Sequence, residues 1–272
     1  MAKFLVQSDK DALEFEERLV RNLLRDTKHV HESSNAYFSE LDGIAEKGLV
    51  PVGTIQFVTK YLQNIYGFEK ENPIEIPEYL RTEEFLKRNY SIVAAEDIPR
   101  IGTFFLKDVS ELKKFGQVIT AEYFITDEMF DDAPREKFDL PPAFSKDHLY
   151  QVSDVFNIKS EYRVYVIDGD IECVAHYNGD PTLFPDINLI KKAVSLITLN
   201  EKWLKSYTID VMVGPKGTAL IEIHNFASVG LYSTIWGTNL LYAYVDGIDY
   251  LLNDNRAITA TQENKRGGTL KC

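Results

Sequence analysis

Two cysteines are all that the 272 residues contain, Cys173 within a strand-like run and Cys272 at the end. That scarcity excludes a disulfide framework, offers no metal-ligand spacing and fits a reducing compartment. No stretch of 18 apolar residues occurs and "MAKFLVQSDKDALEFEERL" lacks the apolar segment of a signal peptide, so neither a membrane span nor secretion is indicated and a cytoplasmic setting is expected. Positive charge is also in deficit. Thirty Lys and Arg face 42 Asp and Glu, a formal charge of −12, which repels phosphate backbones and anionic lipid and argues against nucleic-acid and membrane partners. A small anionic ligand such as a nucleotide stays open, because local lysines, arginines or a bound metal reverse the field inside one cleft. The glycine-rich Walker loop and the GxGxxG fingerprint are both missing, as are internal repeats and low-complexity tracts.

What is present belongs to an ordinary folded protein. Hydrophobic residues make up 44% and aromatics 12%, and the length suits one large α/β unit or two smaller ones around a cleft. The segment "DALEFEERLVRNLLRDTKHV" places Leu13, Val20, Leu23 and Leu24 near helical period, with Glu16 and Glu17 toward its start. A second helix is predicted from Thr54, a suitable N-cap, to Gly67. Strand-like runs predominate from about residue 100, so a boundary is expected at Pro99, with a small α/β unit over 1–99 and a main unit over 100–255. The acidic, proline-bearing stretch 126–147 is expected to be a loop or flap. Asp168-Gly169 marks a hairpin, "DINLIKKAVSLITLNEKWL" a helix, "NLLYAYVDGIDYLLND" a closing helix, and residues 256–272 a tail.

Three clusters carry possible chemistry. In "IDVMVGPKGTALIEIHN", strand alternation puts Glu222 and His224 on one face, with Ile221 and Ile223 on the other. Asp210 joins that face if the hairpin pairs it with Glu222. Such pairing sets Val213 opposite Ala219 with a loop over Gly214 to Thr218, or needs a shorter loop and a bulge. Two unpaired carboxylates brought together repel, and a cation such as Mg2+ between them resolves this; alternatively both point to solvent from a half-exposed sheet. In "EYRVYVIDGDI", Arg163 alternates with Glu161 and Tyr165, aimed at a phosphate or carboxylate, or bound in a cross-strand ion pair. In "TFFLKDVSELKKFG", Lys107 ends a strand and Lys113 and Lys114 follow, within reach of a phosphate or simply solvated.

The order of these clusters resembles the ATP-grasp superfamily: lysine on a strand, a flap, a strand pair with Glu-Tyr-Arg, then Asp and Glu-x-His-Asn on a late hairpin. "IEIHNFASVGLY" is similar to the Glu-x-Asn metal motif and following Gly-Leu-Tyr of a small branch of poorly characterised bacterial and phage members, where "PVGTIQFV" and "FLKDVSELKKFG" also have counterparts. The match spans roughly residues 50–235. The resemblance implies an α+β ATP-grasp fold, with two subdomains gripping nucleotide after a small N-terminal α/β domain. It further implies an ATP- and Mg2+-dependent carboxylate-amine ligase acting through an acylphosphate on small-molecule or peptide substrates. Carried onto this chain, Lys107 and Lys114 contact nucleotide phosphates and Arg163 steadies the transferred phosphate. Asp210 and Glu222 hold Mg2+. The strand "YQVSDVF" supplies adenine and ribose contacts through Gln151, Ser153 and Asp154, with Asp154 the ribose partner. One departure stands out: the family's Asn, two residues after the glutamate, is His224 here, with Asn225 next. Imidazole is a poorer Mg2+ ligand than an amide oxygen, so His224 could bind phosphate, Asn225 could replace it through a bulge, or the metal site could be weakened. A nucleotide-binding module without turnover, or a phosphotransferase, are the competing readings.

Overall fold

The computed structural model describes residues 2–7, 15–26, 33–36, 46–69, 71–110, 115–124, 145–233, 235 and 237–267. Three parallel strands open the chain: β1 (Lys3–Gln7) lies between β2 (Ser33–Ala36) and β3 (Leu49–Val52). Helix α1 (Phe15–Asp26) and helix α2 (Ile55–Tyr66) join them through Val20, Leu24, Phe57, Val58, Tyr61 and Leu62, buried in one cluster with Phe4 and Val6. The predicted ends of α2 are those observed. Thr54 accepts a hydrogen bond from the Phe57 amide, and Gly67 closes the helix in the left-handed region at φ 66°, where a β-carbon would be strained.

The second sheet is antiparallel, in the order β4 (Tyr90–Ala94), β7 (Leu149–Ser153), β5 (Thr103–Asp108), β6 (Gly116–Thr120). Short helix α3 (Glu83–Leu86) precedes β4, and α4 (Ala121–Phe124) follows β6. Because β4 pairs with β7, the sheet crosses the boundary expected at Pro99; the order of strands in space, which sequence does not display, joins both sides. Phe104, Leu106, Ile119 and Tyr150 bury one face of this sheet, which sends Lys107 and Gln151, register partners, to the other.

The third sheet runs β9 (Asp170–Gly179), β8 (Ser160–Ile167), β10 (Ser206–Gly214), β11 (Gly217–Asn225), all antiparallel. Asp168 and Gly169 form the predicted β8–β9 turn, both at positive φ. Alternation divides this sheet cleanly. Tyr162, Val164, Val166, Ile209, Val211, Leu220 and Ile223 pack beneath α5 (Ile187–Asn200), whose N-cap Asp186 accepts from the Asn188 and Leu189 amides. The opposite face meets the N-terminal cluster through Tyr165 and Ile167, while Arg163 and Asp210 occupy that same face farther along their strands.

Helix α6 (Asn239–Gly267) closes the chain; its backbone continues through residues 256–267, where a tail was expected. Among the described residues, no helix is long and apolar enough to cross a membrane. The stretch 126–147 lies largely outside the described residues, which resume at Ser145.

Candidate active site

The β10–β11 hairpin pairs Asp210 with Glu222, as the metal reading requires, and does so by the bulged alternative. Val211 faces Leu220, so Ile221 is the extra residue; Val213 then faces Thr218, and Pro215 and Lys216 make the turn. The extra residue lets Leu220 and Ile223 both enter the core while Glu222 and His224 face the site.

Arg163, opposite Asp210 on the neighbouring strand, grips it bidentately: Nε donates to Oδ1 and Nη2 to Oδ2, each at 2.7 Å. Both residues are almost fully buried, at 8% and 2% exposure. Burial alone would lower the guanidinium pKa, but the hydrogen bonds and charge of Asp210 outweigh it and push it above its ordinary value. Nη1 donates to the Gly230 carbonyl at 3.1 Å, and the group lies 4.9 Å from the Tyr232 ring centre and 5.8 Å from that of Tyr177. Those rings stack on each other at 4.8 Å, and Tyr177 Oη donates to Glu161.

Glu222 is met from the second sheet. Lys107 Nζ donates to its Oε2 at 2.5 Å, and His224 Nε2 lies 3.0 Å from its Oε1 and 3.9 Å from Asp210 Oδ2. Burial would raise the Glu222 pKa, yet His224 and Lys107 together hold it well below the ordinary carboxylate range. Among the described residues, ligand atoms of Asp210, Glu222 and His224 lie within 4.8 Å of one another, a grouping compatible with a metal ion. Two cations and two carboxylates thus meet where strands of separate sheets approach, an arrangement that can exchange internal ion pairs for a polyanion and its counter-ion.

A family model described as an ATP-grasp domain, the second family of its clade, matches residues 85–235, more than half of the chain. The chain belongs to this ATP-grasp family. It matches no curated protein. Among solved structures it is similar to the ATP-grasp ligase PsnB complexed with minimal precursor: 13% identity, TM-score 0.51, covering 90% of this chain and 99% of that one. A RimK domain protein ATP-grasp from Sphaerobacter thermophilus DSM 20745 matches at 13% identity and TM-score 0.49, covering 93% and 98%. D-alanine--D-alanine ligase from Bacillus anthracis complexed with ATP matches at 11% and 0.42, covering 96% and 100%. The PsnB likeness supports the ATP-grasp fold.

Within this ATP-grasp chain the remaining expected residues divide. Gln151 and Ser153 are buried on β7, the Gln151 amide donating to Ser153 Oγ at 3.2 Å. Asp154 accepts from the backbone and side-chain amides of Asn89 at 2.9 and 3.0 Å, and lines an open cleft of about 400 Å³ with Asn89, Tyr90, Thr103, Phe104 and Ser153. Asn225 is not brought to the acidic cluster. Its amide oxygen accepts from the Ala227 backbone and its nitrogen donates to Glu71, because it follows His224 and so leaves the opposite side of the strand. Lys114 lies outside the described residues.

Sequence reading missed the groups that frame Arg163, namely Tyr177, Tyr232 and the Gly230 carbonyl. "GLY" was visible, but nothing in it says that its backbone folds back onto β8. Arg88 was missed too. It is buried against Phe156, 4.2 Å from the ring centre, and donates to the Leu220 carbonyl at 2.7 Å, tying the start of β4 to β11; burial pulls its pKa down to about 10.

Proposed function

We propose that this ATP-grasp chain is a ligase that uses ATP and Mg2+ to join a carboxylate to an amine through an acylphosphate. The observation that carries the reading is the convergence of Lys107 and Arg163 with Glu222 and Asp210 where the second and third sheets meet. Asp210 and Glu222 suit Mg2+ by their chemistry, since both offer carboxylate oxygens from adjacent strands and both already draw cationic partners. His224 adds a nitrogen donor that Mg2+ favours less. Bound there, Mg2+ would neutralise charge between the β- and γ-phosphates.

The chain's own residues would do the rest by position and charge. Lys107, with Lys114, would hold the triphosphate, and Gln151, Ser153 and Asp154 the adenine and ribose. A substrate carboxylate oxygen attacks the γ-phosphorus in line and ADP leaves, while Arg163 offsets the charge on the transferred group. The amine nitrogen then attacks the acyl carbon, phosphate departs and the nitrogen loses its proton. No protein nucleophile is required. Residues 126–147 are assigned as a flap that would keep water from the acylphosphate, and the N-terminal unit as a contributor to substrate binding.

The test is ADP release by purified protein with ATP and Mg2+ across pools of amino acids and short peptides, with mass spectrometry of the products. A ligase releases ADP only with both carboxylate and amine present and yields a condensed product. The position of His224 against Glu222 favours a second reading, a nucleotide-binding module without turnover; such a protein binds ATP and releases no ADP with any pool. A stable phosphorylated product would instead identify a phosphotransferase.

A further inference from the structure

The loop 229–232 supplies the carbonyl that receives Arg163, and a residue of the N-terminal unit holds it. Glu16, on α1, accepts a hydrogen bond from the Leu231 amide through Oε1 at 2.6 Å. Two residues of the loop, Val229 and Leu231, are buried in the same apolar cluster as Val20 and Leu24 of α1. On its other side the loop is fixed to β8. Tyr165 Oη donates to the Gly230 carbonyl at 3.1 Å and accepts from the Tyr232 amide at 2.8 Å, and Arg163 Nη1 donates to that same carbonyl. Three consecutive residues, Gly230 to Tyr232, are therefore pinned by their backbone between α1 and β8, with Glu16 providing the α1 contact.

We infer that Glu16 is a positioning residue for Arg163, acting through the Leu231 amide and the Gly230 carbonyl, so that the N-terminal unit sets the geometry of the cation assigned to phosphoryl transfer. This rests on the functional reading above. A carboxylate accepting a backbone N–H makes a strong, directional bond. Once it is lost, the peptide between Gly230 and Leu231 is free to tilt and the guanidinium loses a fixed acceptor. Misplacement of a transferring group by a fraction of an ångström to an ångström is costly, up to about a hundredfold in rate. The N-terminal unit would thereby act on the chemical step and not only on substrate affinity.

The experiment is a double-substitution cycle with Glu16→Ala, Glu16→Gln and Arg163→Ala, read in ADP release and in amide hydrogen exchange over 229–232. Glu16→Ala is expected to lower kcat roughly tenfold or more with the KM for ATP nearly unchanged, and to speed exchange at Leu231. Glu16→Gln keeps an oxygen acceptor and should restore most of the rate. In the Arg163→Ala background Glu16→Ala should cost little more, since the two act as a unit. Effects that multiply, or a Glu16→Ala variant with faster exchange and unaltered kcat, overturn the inference and leave Glu16 a structural contact. Unchanged exchange also overturns it. Absence of ADP release by the unsubstituted protein overturns the functional reading itself, and exchange at Leu231 then still decides whether the contact holds the loop.

Discussion

Lys107 of β5 and Glu222 of β11 meet at 2.5 Å although 115 positions and two different sheets separate them. This pair couples the sheets at the site, and its charges are those that a triphosphate and a metal ion would claim separately. Glu222 cannot keep Lys107 as its full partner while serving a divalent cation, so the contact and metal binding compete.

Glu222→Gln should therefore leave the fold intact while Mg2+-dependent ADP release falls by about 10²–10³-fold, the range for losing one preorganised electrostatic group. Lys107→Met should fall comparably, and the double variant should be little worse than either single. Steady-state rates and circular dichroism on the same preparations decide it; independent, multiplying losses would separate the two residues.

The Arg163–Asp210 pair should behave differently, because it is buried. Removing one partner strands the other charge away from water, at a cost of about 3–5 kcal/mol. Asp210→Asn and Arg163→Ala are thus expected to lower stability in urea denaturation as well as turnover. If the folded fraction of Arg163→Ala keeps full activity, the arginine serves the fold alone.

ATP should stabilise the protein strongly only with Mg2+ present. At about 100 times its Kd a ligand specific for the native state adds about 2.7 kcal/mol. Thermal melts with ATP, with and without chelator, measure this, and equal shifts in both would remove Asp210 and Glu222 as metal ligands.

His224→Asn restores the family's amide at the position that faces Glu222. It should preserve or improve Mg2+ use in a titration of activity against metal, since an amide oxygen suits the ion better than imidazole. Loss of activity with metal binding intact would give His224 a chemical role of its own.

Some of this architecture could be read from residues alone, where local rules act. Thr54 and Gly67 bracketed α2 through capping and a left-handed C-terminus, and Asp168-Gly169 marked its hairpin because few other pairs accept positive φ twice. The motif order from Lys107 to His224 carried the family, since spacing along a chain survives when overall identity does not. The strand period placed Glu222 and His224 together. Tertiary structure decided what period and propensity cannot reach. The bulge at Ile221 was only one of two registers the residues allowed. That β4 pairs across Pro99, that Asn225 turns toward Glu71, that Arg163 is saturated by Asp210, and that Glu16 reaches Leu231 all depend on contacts between distant segments. Such contacts form when separate apolar faces are buried together, and a linear pattern states which face is apolar without stating what will cover it.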